Sequence, residues 1–312
     1  MTNIAIAIHG GAGTILRADM PAEKEQQYRQ ALEKSLKAGY DILRNGGTAL
    51  EAVEMAVIHL EDSPLFNAGK GSVFNHAGHH DMDAAIMCGR TLAAGAVAGV
   101  QQVKNPISLA NQIRLNSDHV LLMGEGALQF ARERGLPLED NAYFYDAYRY
   151  QQWEEAQKIN KASLDHSRSS NQDHKFGTVG AVALDQNGDL AAATSTGGLT
   201  NKKYNRIGDS PLIGAGTYAN NHTCAVSCTG DGEYFIQAVA AYDVSCLMEY
   251  KGLSLQEASR IVVQEKLVKI KGEGGLIAVD AAGNIALPFN SEGMYRASRR
   301  NDEPAYIEIY RE

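Results

Sequence analysis

Apolar and polar positions fall in blocks along the chain, and the spacing within each block predicts its elements. Ile4 to Ile8 form a short apolar run that reads as a strand and leads into the glycine-rich stretch "HGGAG". From Pro21, "PAEKEQQYRQALEKSLKAGYDILRNGG" carries helix formers throughout and ends on Gly46-Gly47, which predicts a long helix. Thr48 and Glu51 make a capping-box pattern ahead of "ALEAVEMAVIHLED", a second helix that stops at Ser63-Pro64. A glycine-punctuated loop, "LFNAGKGSVFN", follows. "HDMDAAIMCG" and "TLAAGAVAGV" read as two strands of small residues, with a helix from about Pro106.

Next come "HVLLMG", short helical stretches and a polar segment, Lys161 to Lys175, almost free of large apolar residues. Such a composition cannot support a packed core and predicts a mobile linker. Beyond it, "TVGAVALD" and "DLAAATSTGG" form a hairpin about the turn pair Asn187-Gly188. "GGLIAVD" and "NIALPFN" predict a second hairpin, and "PAYIEIYRE" a last strand. One helix is expected from Glu233 to Tyr250, and another near Ser254, capped with Glu257. Hairpins in place of βαβ repeats, with helices before and after, place the chain in the α+β class: sheets packed together beneath helices. The two parts flanking the linker each lack a full set of elements, so residues 1–312 are expected to share one core.

Composition narrows the function. The chain has 312 residues, 44% hydrophobic and 21% charged, enough apolar material for a sizeable core. A net charge of −8 argues against nucleic acid or anionic membrane as a partner. No apolar run reaches the length of a membrane span and no segment reads as a secretory leader, so the expected location is the cytoplasm. Cys224 and Cys228 lie in the alternating run "TCAVSC" and, like Cys88 and Cys246, read as reduced structural thiols. His76, His79 and His80 in "HAGHH" read as a solvated loop and not a metal site.

The chemistry gathers at "HKFGTVGAVALD". A two-residue Asn187-Gly188 turn pairs Gln186 with Asp189 and sets Thr178 opposite Gly197, one residue from Thr196. A single bulge would then bring the two threonines face to face. Taken alone, an ordinary threonine pair on a strand explains this. The linker upstream changes the balance. Threonine is a weak nucleophile that needs a base, and a threonine at a chain terminus carries one in its α-amine, of pKa about 7.7–8.0. Gly177 would supply room for the scissile bond. In "SCTGDGEYF", a strand ends at Cys228 and a helix starts near Glu233, so backbone amides at Thr229 and Gly230 face a possible oxyanion; a plain strand-to-helix turn explains the stretch equally well. Arg206 and Asp209 suit the α-carboxylate and α-amine of an amino acid, although surface pairs of this kind are common. "IHGGAG" matches the oxyanion turn of α/β-hydrolases, but the G-x-S-x-G elbow of that class is missing from the sequence. No nucleotide-binding loop is present either.

Together, "IAIHGGAG", "PLFNAGKGSVF", "GTVGAVALD", "TSTGG", "GDSPLIGAGTYANN", "SCTGDGE" and "LPFNSEGMYR" resemble the plant-type L-asparaginase/isoaspartyl peptidase family of N-terminal-nucleophile hydrolases, from about residue 4 to residue 310. The resemblance implies a four-layer αββα sandwich and self-cleavage between Gly177 and Thr178, giving an α chain of 1–177 and a β chain of 178–312. It implies Thr178 as nucleophile, Thr196 as its activator, and Thr229 and Gly230 as the oxyanion hole. Arg206 would take the substrate carboxylate and Asp209 its amine, with Gly232 and Asn67 as further substrate-binding positions. It implies no catalytic cofactor. A structural sodium would be held by main-chain carbonyls of Leu60, Glu61, Ser63, Phe66, Ala68 and Lys70. The substrates implied are small molecules, isoaspartyl dipeptides and L-asparagine, and the assembly an (αβ)2 dimer. Cys88 stands where the family commonly has Asp, and Asp231 adds a negative charge beside the oxyanion loop. Competing readings are a glycosylasparaginase, a taspase-like endopeptidase, or a non-cleaving relative that binds amino acids.

Overall fold

A computed structural model describes residues 3–158 and 177–311. The segment expected as a linker, Lys161 to Lys175, therefore lies outside the described residues. In chain order the first part holds β1 (Ala5–Gly13), α1 (Ala22–Arg44), α2 (Ala49–Glu61), β2 (Met82–Cys88), β3 (Ala94–Val100), α3 (Pro106–Asn116), β4 (Leu121–Met123), α4 (Gly124–Glu133), α5 (Asn141–Phe144) and α6 (Ala147–Lys158). The second part holds β5 (Val179–Leu184), β6 (Leu190–Thr196), β7 (Thr217–Ala219), β8 (Cys224–Gly230), α7 (Gly232–Ala238), α8 (Ala240–Lys251), α9 (Leu255–Arg260), β9 (Gly274–Asp280), β10 (Ile285–Ala286), β11 (Gly293–Arg300) and β12 (Tyr306–Tyr310).

Among the described residues, one sheet has eight strands in the order β12-β11-β1-β5-β6-β2-β3-β4 and a second has four, β10-β9-β8-β7. Every neighbouring pair is antiparallel except β3–β4. Strand periodicity sorts the side chains into three apolar interfaces. Ile6 and Ile8 of β1 face Leu36, Val53 and Val57 of α1 and α2. Ala5 and Ala7, one residue out of phase, meet Ala225, Ile277 and Val279 of the smaller sheet. Val226, Cys228 and Leu276 turn the other way, toward Phe235, Val244 and Val263. Helix, sheet, sheet and helix thus form the four layers of an αββα sandwich, held by one continuous set of interfaces, and the fold is α+β. No described helix is long and apolar enough to cross a membrane.

The structure departs from the sequence pattern at several points, and it adds two strands, β7 and β11, that the pattern did not indicate. The glycine-rich stretch after Ile8 does not turn; β1 runs on to Gly13 with a bulge between His9 and Gly11. The β5–β6 loop has three residues and not two. Val179 pairs with Ser195 and Leu184 with Leu190, and Asp185 N–H bonds the Asp189 carbonyl at 3.0 Å. Gln186 to Gly188 make the loop, with Gly188 at φ 83. The Asp185 carboxylate causes this, accepting from Asn187 and Asp189 N–H at 2.9 and 3.1 Å. The register moves by one, and Thr178 faces Thr196 without a bulge.

The helix expected from Glu233 to Tyr250 is two, broken at Val239 with φ 48. The first N–H groups of α8 bond the carbonyls of Ala215 and Gly214 at 3.1 and 2.8 Å, so a contact from another loop fixes the break. Finally, His80 of "HAGHH" is buried, with Nδ1 2.9 Å from the Ser72 carbonyl, whereas His76 and His79 are exposed as expected. The capping box at Thr48 and Glu51 forms with both bonds. All four cysteines are free; burial pushes the Cys224 thiol up to about 12.

Candidate active site

Thr178 precedes β5 at the open end of its hairpin, and its hydroxyl donates to Thr196 Oγ1 at 3.2 Å. Thr196 Oγ1 also accepts from Gly198 N–H at 3.0 Å, so both its lone pairs are engaged. Both threonines are buried. They line one small cavity of about 20 Å3 with Gly177, Asn67, Arg206, Asp209 and Gly230. That volume holds about one water.

Asn67 shapes the wall of this cavity. Its side-chain amide donates to the Gly198 carbonyl at 2.8 Å and accepts from Val73 N–H at 3.0 Å, while its own carbonyl holds Gly197 N–H at 2.9 Å. Beneath the same turn, the buried Lys202 ammonium donates to the carbonyls of Asp81 and Gly197 at 2.7 and 3.1 Å. The Gly197-Gly198 turn is thereby gripped from two sides.

Arg206 and Asp209 converge from the loop after β6. Arg206 forms a bidentate pair with Glu233, Nε to Oε1 at 2.8 Å and Nη2 to Oε2 at 2.7 Å. Burial disfavours its charge, but Glu233 more than offsets this and holds the guanidinium pKa above its usual value. Asp209 is buried, and Oδ2 has no hydrogen-bond partner. Burial pushes its carboxyl up to about 7, against the pull of Arg206. An open, buried carboxylate beside a guanidinium fits a ligand carrying an ammonium and a carboxylate on one carbon. Gly232 is needed at this point: a Cβ there would lie 2.8 Å from Arg206 Nη2 and 2.9 Å from Asp209 Oδ1.

Gly230 reaches the cavity with φ 147, a conformation open to glycine, and any Cβ would collide with the Glu273 carbonyl. Thr229 is buried behind it and is not among the residues lining the cavity; its Oγ1 accepts from Ala12 N–H at 3.2 Å. The strand β8 runs through Gly230, two residues further than the sequence indicated.

Residues 60–70 curl between α2 and the site. A Cβ at Gly69 would lie 2.6 Å from the Glu61 carbonyl, and one at Gly71 would strike that of Phe66, so main-chain oxygens crowd the inside of the loop. The carbonyls of Phe66 and Ala68 accept from Ala68 and Gly71 N–H at 3.0 and 3.1 Å, and that of Leu60 accepts from Ser63 N–H at 3.2 Å and from Asp62 N–H. The Glu61 carboxyl is turned elsewhere, accepting from Ser195 Oγ at 2.6 Å and Ile107 N–H at 3.0 Å; burial pushes it up to about 8. The Lys70 ammonium lies 5.1 Å from the Tyr143 ring. Oxygen donors of this kind fit a hard cation of low charge. Among the described residues no group of three His, Cys, Asp or Glu side chains offers a metal site.

Sequence reasoning missed Glu233 and Lys202. Glu233 lies 27 residues from its partner Arg206, and Lys202 reads as one of two neighbouring surface lysines. Nothing local marks either.

An αββα sandwich carrying a buried threonine at the head of a strand is the architecture of the N-terminal-nucleophile hydrolases. The chain belongs to the asparaginase family: the sequence model of the family described as Asparaginase matches residues 2–309. It is 52% identical over 313 residues to an isoaspartyl peptidase of Escherichia coli (strain K12), covering 100% of this chain and 98% of that one. It is equally 52% identical to an isoaspartyl peptidase of Salmonella typhimurium, with 100% of both chains covered. A plant-type L-asparaginase of Pyrococcus abyssi is 43% identical over 93% of this chain and 94% of its own.

Proposed function

We propose that the protein is an isoaspartyl peptidase with L-asparaginase activity, matured by its own cleavage between Gly177 and Thr178. The observation that carries this is the buried Thr178 hydroxyl, 3.2 Å from that of Thr196, in a cavity shared with Arg206 and Asp209. In maturation the hydroxyl attacks the Gly177 carbonyl carbon, and the bond to Thr178 nitrogen breaks. The hydroxyl proton ends on the released amine, and water hydrolyses the ester to leave a Gly177 carboxylate. The products are chains 1–177 and 178–312 of one shared fold, and withdrawal of Gly177 from the cavity wall makes room for substrate.

In turnover the free α-amine of Thr178 takes the proton from its own hydroxyl. The oxygen attacks the side-chain carbonyl carbon of asparagine or of a β-aspartyl dipeptide. Arg206 holds the substrate α-carboxylate and Asp209 its ammonium, with Gly232 and Asn67 closing the pocket. The Thr229 hydroxyl and Gly230 N–H stabilise the oxyanion. The leaving amine departs with the proton, and water cleaves the acyl ester to aspartate. Thr196 keeps the Thr178 hydroxyl aligned. The carbonyls of Leu60, Glu61, Ser63, Phe66, Ala68 and Lys70 in the 60–70 loop would hold a structural sodium ion, which would stiffen the wall under Asn67. The matured chains assemble as an (αβ)2 dimer in the cytoplasm, with no catalytic cofactor.

The deciding experiment pairs intact mass with activity. The purified protein should resolve into two chains, release ammonia from asparagine and release leucine from β-Asp-Leu. Thr178→Ala should stay one chain and do neither. Two chains in Thr178→Ala would refute the mechanism. Replacing sodium by a bulky organic cation should lower the thermal midpoint.

A further inference from the structure

The "IHGGAG" stretch has so far supplied only the Ala12 N–H that bonds Thr229, yet its His9 reaches the backbone of Thr178. The ladder between β1 and β5 ends with His9 paired to Gly180, where β1 bulges between His9 and Gly11. Thr178 therefore lies beyond the regular pairing. The imidazole takes over its carbonyl: Nδ1 is 3.0 Å from Thr178 O, and Nε2 is 2.9 Å from Ser227 Oγ on the other sheet. A Cβ at Gly180 would lie 2.5 Å from Nε2 and would collide with Ser227 Oγ, so this crossing needs a glycine opposite.

The ring is fully buried, and burial pushes its pKa down to about 3, the carbonyl contact opposing. It is neutral. A carbonyl oxygen only accepts, so Nδ1 carries the single ring proton and Nε2 is an acceptor. That assignment orders the groups behind it. The one proton of Ser227 goes to Nε2. Thr194 Oγ1, 2.7 Å from Ser227 Oγ, must then donate to it. Thr217 Oγ1 donates in turn to Thr194 at 2.6 Å. The competing acceptors, the carbonyls of Gly216 and Ser210, are more distant at 3.3 and 3.0 Å. All four side chains are completely buried. The result is a one-way chain of donors from Thr217 through Thr194, Ser227 and His9 to the Thr178 carbonyl. Aligned bonds of this kind reinforce one another in a low-dielectric interior.

We propose that His9 is a positioning residue for the nucleophile: by holding the Thr178 carbonyl it sets the direction of the Thr178 hydroxyl and amine. The inference rests on Thr178 being the nucleophile. After cleavage Thr178 is a chain end, and its ψ torsion decides where the amine lies relative to the carbonyl. Anchoring the carbonyl plane fixes the frame in which amine and hydroxyl meet substrate. His9 itself takes no proton from the hydroxyl.

Two variants separate positioning from packing. His9→Phe keeps the ring and removes both polar atoms; His9→Asn places an amide N–H near Nδ1. In His9→Phe, self-cleavage should slow and kcat should fall on the order of 100-fold, while KM stays within about twofold. His9→Asn should recover most of kcat without matching the thermal midpoint of the parent. Unchanged kcat in a folded His9→Phe, or a loss confined to KM, overturns the proposal. Should neither variant fold, 15N NMR of the parent decides: Nδ1 protonated and Nε2 bare at neutral pH is expected, and the opposite tautomer or an imidazolium refutes it. Thr178→Ala measured alongside distinguishes the two ideas. Its retention of activity would overturn the nucleophile, whereas a dead Thr178→Ala beside a fully active His9→Phe would overturn only the positioning role.

Discussion

Thr178 and Thr196 stand opposite each other, hydroxyl to hydroxyl at 3.2 Å, because Asp185 closes the far end of their hairpin on Asp189 and not on a tighter turn. A one-residue slip in a hairpin turns every side chain to the opposite face. The alignment of the two threonines thus depends on a carboxylate at the other end of two strands. Asp185 also accepts from Ala49 N–H at 2.9 Å, which ties the loop to the start of α2.

Asp185→Ala removes the acceptor of three N–H groups, those of Ala49, Asn187 and Asp189. Stability should fall by about 3 kcal/mol, since bonds to a charged group contribute more than neutral ones. Urea unfolding would read this as a lower midpoint at unchanged slope. Activity per folded molecule should also drop, because the loop no longer selects the register.

Thr196→Val keeps the shape and removes the acceptor of Thr178. Turnover should fall on the order of 100-fold with KM little changed, because substrate is held by other residues. Steady-state kinetics on matured enzyme would show it. Gly198 N–H loses its partner as well, at about 1 kcal/mol in thermal unfolding.

Asp209 sets a pH dependence. Its carboxyl is pushed up to about 7 in the folded protein by burial. It therefore holds its proton below that pH and presents no anion to a substrate ammonium. For the asparaginase reaction, kcat/KM should fall about tenfold for each pH unit below about 7. Stability has the same origin with a fixed sign. Raising a carboxyl pKa on folding destabilises the fold progressively as pH climbs from about 4 to about 7, and by a constant amount above. Asp209→Asn should accordingly raise the melting midpoint at pH 8, raise it little at pH 4, and weaken substrate binding at pH 8 far more than at pH 4, where the parent carboxyl is already neutral. A melting series across pH checks the sign.

Glu233 occupies the Nε and Nη2 edge of Arg206 in the free protein, 2.8 and 2.7 Å away. It fixes the guanidinium plane toward the cavity. Glu233→Gln keeps the shape and weakens the grip, so KM should rise about three- to tenfold with kcat largely preserved. Arg206→Lys loses the planar fork and should cost far more in KM. Titration with aspartate, followed by calorimetry, reports both without turnover.

Much of the architecture was legible because it is local. The capping box at Thr48 and Glu51, the short apolar run of "TVGAVAL", which is buried on both faces, and the small-residue strands are each set by residues within a few positions of one another. The candidate residues were singled out for another reason: Gly177-Thr178, Thr196, Arg206 with Asp209, and Thr229-Gly230 lie in short stretches that each have an ordinary structural explanation, and the family resemblance is what joined them into one site. The helix break at Val239 was not legible, since the carbonyls of Gly214 and Ala215 impose it from another loop.

By itself, the sequence determined the α+β class, most but not all of the strands and helices, and which threonine follows a glycine at the head of a strand, since these depend on neighbours along the chain. Tertiary structure alone decided the rest. It brought Glu233 to Arg206, Lys202 under Gly197, and His9 through Ser227 to the carbonyl of Thr178. It also buried Asp209 with Oδ2 lacking a hydrogen-bond partner. Hydrogen-bond reach is about 3 Å whatever the separation in sequence. Desolvation depends on which layers close over a group, and no local pattern in the chain records that.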